Sequence, residues 1–239
     1  MPAPEKKKGT NLLTSLFLVL PLLVFYELGI LTSETRNGAD LITQTLLQLI
    51  GLKGFLAVQG ALLVAIVGLA FYLRKTEQFE FKQILPVLLE SAIYALTMGT
   101  LILFVMEDLM GIDPRLAAAP GTQSMGIFDR LVMSAGAGVH EELVFRLLIM
   151  GGLILFFDKV LKLRSWLAIG LAMLISSIAF SAAHHIGQLG DPVQLGVFVY
   201  RVIAGLFFAA LYRFRSFAIA VYSHTLYDVY VLVGQYFGL

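Results

Sequence analysis

The chain has 239 residues, of which 59% are hydrophobic and 14% charged, and its net charge is +1 at pH 7. A soluble globular domain carries roughly 25% charged residues, so this composition excludes an ordinary water-soluble protein. The small net charge and the dispersed lysines and arginines argue against a nucleic-acid partner, and the absence of cysteine excludes thiol nucleophiles, thiolate metal ligands and disulfides.

Apolar runs long enough to cross the ~30 Å hydrocarbon core of a bilayer recur along the whole length. They predict an all-α fold, a polytopic transmembrane helical bundle of about seven spans with its site in the bundle interior. The predicted spans are 12–31, 55–73, 84–106, 127–157, 166–185, 193–212 and 217–237. The segment 40–52, where Gln44 and Gln48 interrupt the apolar residues, predicts a short helix at the membrane interface that is not long enough to span.

The loop lysines and arginines fall mostly on one side of this arrangement, which places the N-terminus in the cytoplasm. We therefore expect a multi-pass protein, in a bacterial inner membrane, whose long loop at 107–126 faces outward. The basic residues on the cytoplasmic side are Lys6, Lys7, Lys8, Arg74, Lys75, Lys82, Lys159, Lys162, Arg164, Arg213 and Arg215.

The predicted fourth span carries His140, Glu141, Glu142 and Arg146 after the small residues 135–138. A charged group inside a membrane costs about 2.5–3.5 kcal/mol, so a chain that keeps several together usually uses them. Glu142 and Arg146 are four residues apart on one helix face and are expected to pair, whereas Glu141 is rotated about 100° away. The small residues allow a neighbouring helix to approach closely. A purely structural buried ion pair is the alternative interpretation.

Two further polar clusters lie in later spans. His184 and His185 lie near the outer end of the fifth, and His224 with Asp228 share a helix face in the last. With His140, these are all four histidines of the chain. Polar groups on separate spans can converge only in the bundle interior, where histidine and glutamate together can activate water.

These clusters resemble, in order, spacing and helical setting, the three-motif signature of the CPBP family, the CAAX proteases and bacteriocin-processing enzymes also called glutamic-type intramembrane proteases. The motif residues are Glu141, Glu142, Arg146, Phe180, His184, His224 and Asp228. The resemblance implies an intramembrane endopeptidase that hydrolyses a peptide bond near the C-terminus of a membrane-associated protein or peptide. It divides the chain into a cytoplasmic tail (1–11), N-terminal transmembrane helices and loops (12–126) and a CPBP-like catalytic core (127–239).

The resemblance also implies roles for the motif residues. Glu141, helped by His184, would activate the water, and Glu142 would be held by Arg146. His224 and the residue at 228 would stabilise the oxyanion.

The chain departs from the commoner family pattern at the last position, where asparagine is frequent. An ionised aspartate cannot donate a hydrogen bond. Asp228 is therefore expected either to orient His224 or to act as a protonated donor.

Two alternatives stay open at this point. Glu141, His184 and His224 form a feasible zinc ligand set. We expect no metal cofactor, because Val144 stands where the second histidine of a His-Glu-x-x-His zinc motif would be. A non-catalytic transporter or immunity factor that uses the buried cluster for ion or proton coupling is the alternative function.

Other polar residues in the spans are expected to have structural roles. Glu27 and Glu90 are expected to be hydrogen-bonded in the bundle or near an interface. His140 and His185 are each rotated away from the neighbouring motif residue. Tyr26, Tyr72 and Tyr212, near span ends, predict interfacial anchors.

Overall fold

The computed structural model describes residues 9–32, 41–112, 125–186 and 192–237. These parts contain seven long helices that pack into one bundle, as the sequence predicts. They are α1 (Leu12–Thr32), α2 (Leu41–Leu73), α3 (Ile84–Phe104), α4 (Ile127–Gly136 continuing through Ala137–Met150, Gly151–Leu155 and Phe156–Val160), α5 (Ser165–Ala183), α6 (Leu195–Phe214) and α7 (Phe217–Phe237). All except α4 are long and apolar enough to cross a membrane, which supports an integral multi-pass membrane protein.

Some predictions concern residues outside the described parts. These are the lysines at 6–8, position 40 of the predicted interfacial helix, and most of the predicted outer loop. The short 3-10 helix Phe81–Gln83 precedes α3, and a π-helical turn, Val105–Leu109, follows it.

The predicted interfacial helix is not separate from the second span. Its residues from Leu41 onward are helical and join α2 across a kink at Gly51, where φ is 66° and ψ is 179°. This left-handed φ favours glycine because a Cβ atom would clash with the backbone. The structure therefore has one helix with a kink at Gly51, where the sequence predicts two separate helices.

Helix α4 has an unusual backbone at the charged cluster. Its first turns, Ile127–Gly136, are α-helical, but Ala137–Met150 has the wider π-helical hydrogen bonding. Such stretches are rare and are often found at functional sites. The cluster predicted to be functional lies within this stretch.

Helix α7 lies at the centre of the bundle, in contact with α1, α3, α4 and α6. Most residues of its first half are buried, including the small residues Ala218 and Ala220. Small residues let helix backbones approach closely, which is how transmembrane helices pack without a hydrophobic driving force. This position brings the histidine of α7 beside the charged cluster of α4.

Glu90 of α3 forms a structural ion pair, in agreement with the sequence interpretation. Its two carboxylate oxygens accept hydrogen bonds from Arg215 Nε and Nη2 at 2.5 and 2.7 Å. Arg215 lies between α6 and α7, and its hydrogen bond to Glu90 raises the pKa of its guanidinium. The pair fixes α3 against the connection that leads into α7.

Candidate active site

The structure brings all six predicted site residues together between α4, the end of α5 and α7. Four of them, Glu141, Glu142, Arg146 and His224, are at most 5% exposed. The side chains of His184 and Asp228 are more open, at 19% and 25%. The cluster is therefore buried on the α4 side and accessible beside these two residues.

Glu142 has a partner at each carboxylate oxygen, an ion pair at one and a hydrogen bond at the other. Its Oε2 atom lies 3.2 Å from Arg146 Nε, which is the predicted i, i+4 ion pair. Its Oε1 atom accepts a hydrogen bond from His224 Nδ1 at 2.9 Å. Because both oxygens have partners, this carboxylate is suited to holding other groups rather than to activating water.

Arg146 is fully buried between two aromatic rings. Its guanidinium carbon lies 4.7 Å from the ring centroid of Phe180 and 5.9 Å from that of Phe208. Desolvated cation–π contacts of this kind contribute about 2 kcal/mol or more. Together with Glu142 they compensate for burying the arginine charge.

Glu141 faces two histidines. Its Oε1 atom is 3.7 Å from His184 Nε2, and its Oε2 atom is 3.9 Å from His224 Nε2. These distances are longer than direct hydrogen bonds, so a contact between the groups requires a bridging molecule. This carboxylate, unlike that of Glu142, is directed at the reactive nitrogens of both rings.

The ring of His184 is oriented by its own helix. Its Nδ1 atom is 2.8 Å from the carbonyl oxygen of Phe180, and because a carbonyl can only accept, Nδ1 carries the proton. In the neutral ring Nε2 is then the acceptor nitrogen, and it faces Glu141. His184 follows the last residue of α5, so the end of that helix places the histidine at the open side of the cluster.

His224 is held by stacking as well as by Glu142. Its ring lies almost parallel to that of Phe208, with centroids 4.4 Å apart. Asp228 Oδ2 is 3.5 Å from His224 Nε2, the nitrogen that also faces Glu141. Glu142 therefore orients the His224 ring through Nδ1, while Asp228 lies beside Nε2.

Close packing of α4 on α7 makes these contacts possible. A Cβ atom at Gly138 would collide with the Thr225 side chain and lie 3.0 Å from the Val221 carbonyl oxygen. The close helix approach that the small residues 135–138 predict is therefore present. Only glycine at this position lets Glu142 reach His224.

The sequence interpretation missed the role of two aromatic residues and was wrong about a tyrosine. Phe180 and Phe208 enclose Arg146. The motif includes Phe180 without giving it a role, whereas Phe208 carries no sequence signal that separates it from ordinary core residues. Tyr26 is fully buried rather than an interfacial anchor, because its hydroxyl donates to Thr43 at 2.6 Å and its ring packs on His140. A buried hydroxyl requires such a partner.

The two remaining histidines point away from the cluster, as expected from their rotation. His140 Nε2 lies 3.0 Å from Gln59 Nε2 of α2. The ring of His185 stacks on Phe198 with centroids 5.8 Å apart.

In the described parts of the chain, no three histidine, aspartate or glutamate side chains are arranged to hold a metal ion.

Comparison with known proteins identifies the part of the chain that carries this site. A search of curated proteins and a search of solved structures found no match. A family model, the type II CAAX prenyl endopeptidase Rce1-like family, matches residues 123–230, which include all six site residues. The family comprises intramembrane endopeptidases, in agreement with the helical bundle and its buried polar cluster. The match to this family model agrees with the resemblance of the motif residues to the CPBP proteases.

Proposed function

We propose that the protein is an intramembrane endopeptidase in which Glu141 and His184 activate water to hydrolyse a peptide bond near the C-terminus of a membrane-associated protein or peptide. The observation that carries the proposal is the position of Glu141. Its carboxylate lies within 4 Å of the Nε2 atoms of His184 and His224, from two other helices.

The first step is attack by water. A water molecule between Glu141 and His184 donates one hydrogen bond to the carboxylate and the other to the Nε2 lone pair of His184. Its oxygen attacks the peptide carbonyl carbon, forming the new C–O bond, while Glu141 takes the proton as general base. The carbonyl oxygen becomes the oxyanion of the tetrahedral intermediate.

His224 is placed to stabilise that oxyanion. In the doubly protonated ring both nitrogens donate, Nδ1 to Glu142 and Nε2 to the oxyanion. Donors fixed in advance stabilise developing charge most strongly in a site that excludes water. Glu142 and Arg146 act here by holding the ring in place.

Collapse of the intermediate completes the reaction. The C–N bond breaks, and the proton on Glu141 passes to the leaving nitrogen, which departs as an amine. The carboxyl product keeps the oxygen that came from water. Glu141 returns to its carboxylate form, so the cycle consumes one water and no cofactor.

A membrane-associated substrate fits the location of the site. The catalytic groups lie inside a bundle of apolar helices, with the more exposed His184 and Asp228 at its open side. A substrate tethered to the membrane is already concentrated at this depth, which lowers the entropic cost of binding.

The proposal is tested by mapping the termini of membrane proteins by mass spectrometry in cells with the wild-type gene, without it, and with Glu141→Gln. We expect at least one C-terminal segment to be removed only in wild-type cells. Identical termini in all three strains, together with ion or proton transport by the purified protein, would contradict the proposal and favour the transporter alternative.

A further inference from the structure

Helix α2 belongs to the N-terminal part of the chain that the family model does not match, and it is attached to the bundle by few residues. Beyond its kink, residues 52–73, the buried side chains are Phe55 and Gln59, four residues apart on one face. Most of the remaining side chains are exposed, as in Val64 at 73%. A buried glutamine on such a helix is costly unless its amide is hydrogen-bonded.

The partner of Gln59 is the residue that precedes Glu141. The Nε2 atom of Gln59 donates a hydrogen bond to His140 Nε2 at 3.0 Å, and both residues are less than 9% exposed. An amide nitrogen can only donate, so His140 accepts with its Nε2 lone pair and is neutral. The bond therefore fixes the tautomer as well as the direction of the ring.

Helix α1 holds the same histidine from another side. The ring of Tyr26 meets the His140 ring edge-on, with centroids 4.9 Å apart and planes at 75°. The hydroxyl of Tyr26 donates to Thr43 in the first half of α2 at 2.6 Å. These buried contacts join α1 and both halves of α2 around His140.

We propose that His140, held by Gln59 and Tyr26, is a positioning residue that fixes the rotation of α4 and thereby the carboxylate of Glu141. The inference rests on the proposed role of Glu141 as the general base. It assigns a function in the active site to helices α1 and α2, which contribute none of the six predicted site residues.

The backbone geometry of α4 makes such an anchor necessary. The stretch Ala137–Met150 has π-helical hydrogen bonding, which is less favourable than α-helical bonding and needs support from its surroundings. Gly138 lets one side of this stretch pack closely against α7, and His140 attaches another side to α1 and α2. Glu141 follows directly on the chain.

The distances around Glu141 show how sensitive the site is to this rotation. The two oxygens are 3.7 and 3.9 Å from the two histidines, so turning α4 would bring one pair together and separate the other. The proposed reaction needs both geometries at once, because His184 helps Glu141 to activate water and His224 stabilises the oxyanion. A misplacement of about 1 Å in a catalytic group can lower the rate by about 100-fold.

The test uses the full-length protein in detergent and a synthetic peptide spanning the cleavage site found by terminus mapping. The variants are Gln59→Leu and His140→Phe, which remove the hydrogen bond and keep comparable volume, and the double variant. Gln48→Leu is the matched control, because Gln48 is an exposed glutamine of the same helix. For each, kcat, KM and the thermal unfolding midpoint are measured.

We expect both single variants to remain folded and to lose about 10- to 100-fold in kcat, with KM within about twofold of wild type. The double variant should lose no more than either single variant, because both remove the same contact. Gln48→Leu should match wild type. If Gln59 and His140 had only a structural role, the variants would lower the unfolding midpoint but would not lower kcat at a nearly unchanged KM.

A wild-type kcat in folded Gln59→Leu or His140→Phe would overturn the inference, as would multiplicative losses in the double variant. Should one variant not fold, the kcat of the other decides. Absence of cleavage by the wild-type protein would instead overturn the proposed function, so the two failures are distinguishable.

Discussion

His224 of α7 donates a hydrogen bond from Nδ1 to the Oε1 atom of Glu142 of α4 at 2.9 Å, inside the bundle. The other oxygen of Glu142 is paired with Arg146 at 3.2 Å. One glutamate therefore connects a buried cation to a histidine, and its neighbour Glu141 faces the reactive nitrogens. The two adjacent glutamates, Glu141 and Glu142, therefore contact different groups and are suited to different roles.

Replacing Arg146 by methionine should destabilise the protein by about 3–5 kcal/mol, because it leaves the buried Glu142 charge without its main partner. The double variant Glu142→Gln with Arg146→Met should recover most of that loss, since the glutamine oxygen still accepts from His224. Unfolding in detergent, followed by intrinsic fluorescence, measures both. An Arg146→Met protein as stable as wild type would show that the ion pair is unimportant for the fold.

Gly138→Val should abolish activity and lower the unfolding midpoint, because its side chain would collide with Thr225 and push α4 away from α7. Gly152→Ala is the matched control on the same helix, where a Cβ atom meets nothing within 4 Å. It should be neutral or stabilising by up to about 1 kcal/mol. Equal behaviour of the two variants would contradict the close-packing explanation.

Asp228→Asn should retain or increase kcat. Asp228 Oδ2 lies 3.5 Å from His224 Nε2, where an ionised carboxylate competes with the oxyanion for the N–H, whereas an amide can itself donate. The increase should be on the order of tenfold, below the roughly 100-fold attributed to one well-placed donor. A fall in kcat for this variant would show that the negative charge is required.

Treatment of the purified protein with a strong chelator should leave its peptidase activity unchanged. The proposed steps use only Glu141, His184, His224 and water, whereas a zinc enzyme would lose its activated water with the metal. Activity is compared before and after chelation and after adding back zinc. Loss on chelation with recovery by zinc alone would make Glu141, His184 and His224 metal ligands.

The sequence predicted the helices and the site with different success. Hydrophobic runs of membrane length located α1 and α3 to α7 to within a few residues, because a helix that crosses lipid must be apolar over its whole length. The join of the segment from Leu41 to the rest of α2 was not predictable, since it depends on the backbone conformation of Gly51. Hydropathy carries no information about such a kink.

Within the site, the sequence predicted the residues that carry charge but not those that hold them. The i, i+4 spacing of Glu142 and Arg146 predicted their ion pair. The enclosure of Arg146 by Phe180 and Phe208, and the bond between Gln59 and His140, join residues far apart in the chain. A single sequence shows which side chains are present, but not which of them lie close together in the fold.

The most direct test of the central claim compares Glu141→Gln with wild type in liposomes that contain the peptide identified by terminus mapping. Glu107→Gln is the control for loss of a carboxylate, because Glu107 is an exposed glutamate in the π-helical turn that follows α3. Because glutamine cannot accept the proton from water, Glu141→Gln should lower kcat by about 100- to 10,000-fold, while Glu107→Gln cleaves at the wild-type rate. Cleavage by folded Glu141→Gln at the wild-type rate would contradict the assignment of Glu141 as the general base.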